Sequence, residues 1–267
     1  MTLTIAIVVL ALLAGVLANR FLRVRVLGED AEATTVQGLI SPLETLAVLL
    51  LAFVLVVAAE SYSTAEAAAE TEARVVDNLF EVAEYAPAAS AQRIQASAVC
   101  YARAISAVEW PELANGRASK VPSVWSGEFR AAFKEMGSSD PSFELLVTAD
   151  KERSEARSER LSEATPAIPS LMYWFMVVAI ALTITAFAFS LPRRKNGAEI
   201  VTLVVLAILF TLSLLLIRDV DRPYDGVIAV DSAAMSFTED DVTEDYVAAY
   251  GDGRLPCDEQ GRELPAA

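Results

Sequence analysis

Four long apolar runs divide the chain. They cover about residues 3–19, 39–59, 168–191 and 199–217, and each is long enough to cross a bilayer as a helix. The second run differs from the others, because the forty-four residues between Pro42 and Pro87 contain neither glycine nor proline. A helix of that length is roughly 65 Å long, about twice the hydrocarbon thickness of a bilayer. The pattern therefore predicts a second helix that continues out of the membrane.

Beyond Glu60 the pattern is that of amphipathic helices. The extension of the second span carries apolar residues on one side and charged residues over the rest. Further helices are predicted over residues 90–108, 121–136 and 141–164. The proline after Trp110 predicts the end of the first of these helices, and Asp140 with Pro141 predicts the start of the last. That last helix contains a run of alternating charges at 150–160, which is typical of a solvent-exposed helix face.

These patterns predict an all-α membrane protein. Four transmembrane helices are joined to a small extramembrane helical domain, which is built on the extension of the second helix. Residues 1–59 hold the first two spans, 60–167 the helical domain and 168–217 the transmembrane hairpin. Residues 218–267 form an acidic C-terminal segment, with a short extended strip at 227–230 and partial disorder after about 236.

Composition narrows the possible functions. Hydrophobic residues make up 54% of the chain, and the net charge is −15. Residues 60–167 hold 18 acidic and 11 basic side chains, and residues 218–267 hold 13 and 4, which argues against nucleic acid as a partner. Histidine is absent, so histidine-based catalysis and histidine metal sites are excluded. We expect no enzymatic activity and no cofactor, and the lipid bilayer is the first expected partner.

Basic residues predict the orientation in the membrane. Arg20, Arg23 and Arg25 follow the first run, and residues 193–195 (Arg-Arg-Lys) lie in the turn between the third and fourth. No basic residue precedes the first run, as it would in a signal peptide, so this run is expected to be a retained span. The positive-inside rule places both short loops in the cytoplasm. The protein is therefore predicted to be a multi-pass cell-membrane protein whose helical domain and termini are extracytoplasmic.

The two cysteines, Cys100 and Cys257, are too few for a metal cluster. Any even number of crossings between them places both on the same side of the membrane. If that side is oxidising they can form a disulfide. The alternative is a buried thiol at Cys100 and a free one at Cys257.

Three acidic residues follow the last span, Asp219, Asp221 and Asp225. Their carboxylates could together bind a divalent cation. Because Arg218 and Arg222 lie among them, the alternative is a set of ion pairs that holds a structural turn.

Two motifs and the order of the segments resemble one family. The first motif is Glu109-Trp110-Pro111, within residues 101–114. The second, at residues 219–226, includes Asp221, Arg222, Pro223, Tyr224 and Gly226. Together with the order of two spans, helical domain, two spans and tail, they resemble the bacterial bestrophin-like family, once known only as a domain of unknown function. The resemblance covers roughly residues 3–235.

The resemblance implies a function. Bestrophins are four-span proteins that assemble as pentameric anion channels, with the second span lining the pore. It therefore implies a homo-oligomer here, a pentamer, with Glu44, Leu50, Phe53 and Val57 as candidate pore-lining residues. For Glu44 the alternative is a position at the lipid headgroups in the first turn after Pro42. The resemblance also implies a cytoplasmic helical domain, the opposite of the orientation that the charges predict.

Two functions therefore remain. The first is an oligomeric ion channel for anions, with a hydrophobic constriction between Leu46 and Ala59. The alternative is a non-catalytic membrane-anchored protein that binds a partner or senses the envelope. The aromatic residues of the helical domain could then be contacts, although core packing explains Trp125 more simply.

Overall fold

The computed structural model describes residues 2–22, 33–191, 197–251, 253 and 255–265, and side chains at 33–40 are outside this description. The helices are α1 (Thr2–Phe21), α2 (Ala33–Val82), α3 (Ala88–Ala104), α4 (Trp110–Leu113), α5 (Val121–Met136), α6 (Phe143–Glu163), α7 (Ser170–Ser190), α8 (Gly197–Val220) and α9 (Ala233–Tyr250). A 3₁₀ turn follows α2 at Ala83–Tyr85, and a π-helical turn joins α3 to α4 at Ile105–Glu109. The chain divides into two units, residues 1–60 with 167–221, and residues 61–166 with 222–267.

Among the residues that the structure describes, four helices are long and apolar enough to cross a membrane, as the sequence predicts. They are α1, the first part of α2, α7 and α8. The predicted all-α membrane fold is confirmed. Of the basic residues that predicted the orientation, Arg20 lies in the last turn of α1, whereas Arg23, Arg25 and residues 193–195 lie outside the described residues.

Helix α1 packs closely against α7 in the first unit. The hydroxyl groups of Thr4 and Tyr173 are 3.1 Å apart near one end of the pair. At the other end, the Asn19 amide donates to the carbonyls of Phe189 and Leu191 at 2.6 and 2.7 Å. Between these contacts, a Cβ atom at Gly15 would lie 2.6 Å from Ala188 Cβ. Since residue numbers rise together along both helices, α1 and α7 run in the same direction, as the first and third of four spans must.

The second unit is built around α3. Helix α3 carries alanines and other small residues on several of its sides, so neighbouring helices can approach it closely from several directions. Tyr101, Ile94 and Ile105 on α3 and the π-helical turn are fully buried, and they belong to one core with Phe129 of α5 and Tyr246 of α9. The helical domain predicted for residues 60–167 therefore also includes the C-terminal segment.

A helix occupies much of the described part of the C-terminal segment, so the predicted disorder after residue 236 was wrong for the residues of this helix. Helix α9 spans Ala233–Tyr250, and its buried residues Met235, Val242 and Tyr246 recur at intervals of seven and four. This single apolar stripe is enough to anchor the helix, although acidic residues dominate its composition. The strip at 227–230 lies outside any strand or helix, with Val227 92% exposed and Val230 buried.

Three predicted helix boundaries were wrong. Pro42 lies inside α2, which begins nine residues earlier at Ala33, so Glu44 is not in the first turn of its helix. Pro111 does not end the helical path, because Glu109 and Trp110 keep right-handed helical geometry and the π-helical turn leads directly into α4. Helix α6 begins at Phe143 rather than Pro141, because Asp140 instead accepts a hydrogen bond of 2.9 Å from the Ser142 amide in a tight turn.

Candidate functional site

The membrane part of α2 has one buried face. Ala47, Leu51, Val54 and Ala58 are at most 8% exposed, and they recur at intervals of four, three and four residues. This is the spacing of one helix face, so these residues pack within the first unit.

The candidate pore-lining residues lie outside that face. Phe53 is 71% exposed, Val57 is 45% exposed and Leu50 is partly buried. Leu50, Phe53 and Val57 share one stripe, whereas Glu44, also partly buried, lies roughly 140° away around the helix axis. The structure therefore groups three of the four candidates on a surface that a single chain leaves uncovered. Other apolar residues of α2 are exposed too, so exposure alone does not identify a pore.

The two motifs that carry the family resemblance meet in the second unit. The indole of Trp110 donates a hydrogen bond of 3.1 Å to the Val230 carbonyl, and its ring meets Tyr224 edge-on at 5.4 Å. The Tyr224 hydroxyl lies 3.3 Å from the Ala65 carbonyl of α2. Gly226 has φ +136°, a backbone conformation that favours glycine. These contacts fasten the segment after α8 to α2 and α4.

The acidic residues of the second motif lie in different surroundings. Asp221 accepts a hydrogen bond of 2.9 Å from the Ile168 amide inside the first unit. Arg222 lies 3.4 Å from Asp225 in an exposed pair, and Pro223 accepts a 2.7 Å hydrogen bond from the Val230 amide. Within the described residues, no group of three or more acidic or cysteine side chains is arranged to hold a metal ion.

A network of buried charges lies where the sequence predicts a solvent-exposed helix. Arg160 of α6 is fully buried, and it forms ion pairs with Glu72 of α2 and, at 2.5 Å, with Glu109 of the π-helical turn. Arg157 forms a second pair with Glu109 at 2.6 Å, and the Tyr101 hydroxyl donates to Glu72 at 2.5 Å. Five charged or polar side chains thus join α2, α3, the π-helical turn and α6.

A second buried pair extends this network towards α5. Arg153 is 1% exposed, and its guanidinium donates two hydrogen bonds to Asp150 at 2.6 and 2.8 Å. The same guanidinium lies 4.6 Å from the ring centre of Tyr101 and 5.1 Å from that of Phe129, a cation–π arrangement. We call Glu72, Glu109, Asp150, Arg153, Arg157 and Arg160 the buried charge network.

Electrostatics in the buried charge network favour the charged forms of Arg157 and Arg160. Burial alone would lower the pKa of Arg160, but the charges and hydrogen bonds of Glu72 and Glu109 raise it above the ordinary value. Burial, followed by the negative charge of Glu72, raises the pKa of Tyr101 well above its ordinary range. Tyr101 therefore stays neutral, and its hydroxyl donates a hydrogen bond to Glu72.

The buried charge network is balanced, with three carboxylates and three guanidinium groups paired with one another. Removing one partner from such a set would leave a buried charge uncompensated, so the pairs favour this arrangement of the helices. The prediction that residues 150–160 form a solvated face was wrong for Asp150, Arg153 and Arg160, which are at most 9% exposed. The sequence did contain a sign of their burial, because Asp150, Arg153 and Arg160 are three and seven residues apart and therefore lie on one face of the helix.

A disulfide joins Cys100 of α3 to Cys257, with Cα atoms 5.8 Å apart. The tail around Cys257 lies directly on α3, because a Cβ atom at Gly261 would be 2.5 Å from the Cys100 carbonyl. Trp125 of α5 donates a 2.7 Å hydrogen bond to the Gly261 carbonyl. Of the two alternatives that the sequence left open for the cysteines, the structure has the disulfide.

Solved structures share this fold. A bestrophin homologue from Klebsiella pneumoniae, phased with zinc, is 15% identical over 91% of this chain and 98% of its own, with a TM-score of 0.66. A variant of the same homologue with a tyrosine replaced by alanine is 15% identical over 91% and 98%, with a TM-score of 0.67. A third, with a leucine replaced by threonine, is 14% identical over 93% and 99%, with a TM-score of 0.66.

At such low identity the structures show a shared fold alone. Among curated proteins, none matches the chain. The Bestrophin-like domain family, however, matches residues 5–235, which include all four spans, α3 to α6 and both motifs. Since this match covers most of the sequence, the chain belongs to the Bestrophin-like family of membrane proteins.

Proposed function

We propose that the protein is the subunit of an oligomeric anion channel, with α2 as the pore helix. Membership of the Bestrophin-like family and the bestrophin fold support a channel-like membrane protein. The observation that carries the finer proposal is the exposed stripe of Leu50, Phe53 and Val57 on α2, beside the face that packs within the subunit. By family resemblance, five copies surround the pore.

In this proposal the stripe forms a hydrophobic constriction. A ring of Phe53 side chains, one from each subunit, would narrow the pore and close it to ions by excluding water. Glu44 would not belong to this ring, because it lies on another side of α2. The role requires no catalysis, and the arginines of the buried charge network serve to hold helices rather than to select ions.

Planar bilayer recordings with the purified protein test this proposal. We expect Phe53→Ser to change the current, because a hydroxyl group in the constriction favours wetting. Val48→Ser is the matched control, because Val48 is 49% exposed on the side of α2 opposite the stripe. An electrically silent wild-type protein, or equal effects of the two substitutions, would count against the pore assignment. A silent and monomeric protein would favour the partner-binding or envelope-sensing function.

We also propose that the helical domain and both termini are extracytoplasmic. The disulfide between Cys100 and Cys257 supports this orientation, because disulfides persist in oxidising compartments and are rare in the cytosol. The positive-inside rule supports the same orientation, since Arg20 lies in the last turn of α1 and the residues after α7 are basic in sequence.

Labelling of whole cells tests the orientation. Ser138 is an exposed residue between α5 and α6, so Ser138→Cys supplies a reactive thiol on the helical domain. The native cysteines are joined in a disulfide and do not compete for the reagent. We expect a membrane-impermeant maleimide to label intact cells. Labelling only after permeabilisation would place the domain in the cytoplasm.

A further inference from the structure

A groove with an apolar floor and a basic rim lies between α5 and α6. Its cavity volume is about 620 Å³. Phe133, Phe143 and Val147 contribute apolar surface, and Arg130, Lys134 and Lys151 contribute positive charge. The carboxylates of Asp150 and Glu155 also line the groove. We call this site the basic groove.

The cations of the basic groove are available for an external partner. In the part of the chain that the structure describes, Arg130 and Lys134 have no carboxylate within 4.0 Å. Lys151 pairs with Glu155 at 3.6 Å, but both side chains are about two-thirds exposed, so this pair is weak. Asp150, the other carboxylate of the groove, is paired with Arg153 at 2.6 Å. In a chain with a net charge of −15, a surface that places two unpaired cations and one weakly paired cation around an apolar floor favours an acidic and partly apolar partner.

The outer face of α9 has this chemistry. Phe237 is 73% exposed, which is unusual for a large aromatic side chain. Asp241, Glu244 and Ala248 follow it at intervals of four, three and four residues, and all are exposed. These residues therefore form one stripe, which we call the acidic stripe. Among the described residues, neither Asp241 nor Glu244 has a basic partner within 4.0 Å.

The basic groove and the acidic stripe lie on different sides of one subunit. On α3, Tyr101 packs towards Phe129 of α5, whereas Arg103 lies 3.7 Å from Glu239 of α9. Gln95 of α3 likewise accepts a hydrogen bond from α9. Because α3 lies between α5 and α9, the two surfaces cannot meet within one chain.

We propose that the acidic stripe of one subunit docks into the basic groove of a second copy. The Phe237 ring would contact the apolar floor, and Asp241 with Glu244 would pair with the basic rim. A contact between two basic grooves, or between two acidic stripes, would bring like charges together. The contact is therefore head-to-tail, with the stripe of one copy against the groove of the next. A head-to-tail contact closes into a ring when its rotation divides a full turn, and it forms an open filament otherwise. A channel requires the ring. The inference rests on the oligomer of the proposed function and specifies its subunit contact.

Cross-linking of the full-length protein in detergent tests the contact. Phe237→Cys and Val147→Cys place one reactive thiol in the stripe and one in the groove, and Val147 is 40% exposed. The native disulfide is buried and does not react with maleimides. With a short bismaleimide, the double variant is expected to give a ladder of covalent oligomers up to the size of the ring. A mixture of the two single variants is expected to stop at two linked chains, because each chain then has one thiol.

Val124→Cys is the matched control for the groove. Val124 is a 42% exposed apolar residue of α5 outside the groove, so Phe237→Cys with Val124→Cys is expected to give about tenfold less product. Charge reversal adds a second readout. Asp241→Lys with Glu244→Lys is expected to reduce cross-linking about tenfold, and adding Arg130→Glu with Lys134→Glu is expected to restore it.

Several results would overturn the proposal. One is equal cross-linking at Val124 and Val147, and another is cross-linking of Phe237→Cys with itself. A third is the absence of cross-linked product from the variant with both Phe237→Cys and Val147→Cys when that variant is an oligomer by size. Saturable binding of laurate to the groove without cross-links would assign the groove to a free amphiphilic acid. Bilayer recordings distinguish these failures from a failure of the proposed function, because wild-type currents without cross-links leave the channel intact and reject only this contact.

Discussion

Replacing Arg160 with methionine should destabilise the protein more than any single change at an exposed charge. Methionine preserves the bulk of the side chain but removes both ion pairs of Arg160. Glu109 keeps its pair with Arg157 at 2.6 Å, whereas Glu72 keeps only the hydrogen bond from Tyr101. The cost is therefore mainly that of one buried carboxylate without a cation, about 3–5 kcal/mol.

Thermal unfolding followed by size-exclusion chromatography in detergent measures this cost. For a protein of this size, we expect Arg160→Met to lower the unfolding midpoint by roughly 6–20 °C. Lys151→Met is the matched control in the same helix, because the Lys151–Glu155 pair has side chains 71% and 66% exposed. Its effect should stay below about 1 kcal/mol.

A double-mutant cycle separates the lost charge pair from lost packing. Arg160→Met leaves the Glu72 carboxylate without a cation. The double variant Arg160→Met with Glu72→Met removes this carboxylate as well. The second substitution should therefore recover about 1–3 kcal/mol, although Tyr101 loses its acceptor. If the double variant is destabilised by the sum of the single effects, or if Arg160→Met melts with the wild type, the buried charge network does not stabilise the fold as argued.

Three further substitutions test other contacts. Gly15→Val should abolish a folded, monodisperse protein, because even a Cβ atom there would meet α7 at 2.6 Å, whereas Gly127→Ala meets nothing within 4 Å and should be neutral or stabilising. Cys257→Ser should cost about 4–5 kcal/mol in the same melting assay, because it opens a loop of 157 residues, and an unchanged midpoint would contradict this. Burial, followed by repulsion from Glu81, raises the pKa of Asp77, so its ionisation destabilises the fold as the pH rises through that pKa. Asp77→Asn should therefore raise the midpoint at pH 7 and lose this advantage near pH 3, and an equal gain at both would refute the sign.

Local patterns made the membrane part predictable from sequence. Each span is a continuous apolar run. The polar contact between Tyr173 on α7 and Thr4 on α1 involves only two uncharged residues, so it does not interrupt the apolar pattern of either span. The C-terminal helix was missed because only Met235, Val242 and Tyr246 mark it within an acidic segment. The disulfide was left open, because its two cysteines are 157 residues apart and the sequence does not show that α3 and the tail are neighbours.

The buried charge network is non-local, yet each of its helices carries a recognisable sign of it. On α2, Glu72 stands seven residues from both Ala65 and Leu79, each fully buried, so a charge occupies a position of the buried stripe. On α6, Arg153 and Arg160 follow Leu146 at intervals of seven and take the same position on their helix. A single charge in a buried stripe is costly and is rarely kept without a partner. Two buried stripes that are interrupted by opposite charges therefore predict that their helices pack together at those charges. This rule predicts from the sequence alone that α6 packs against α2.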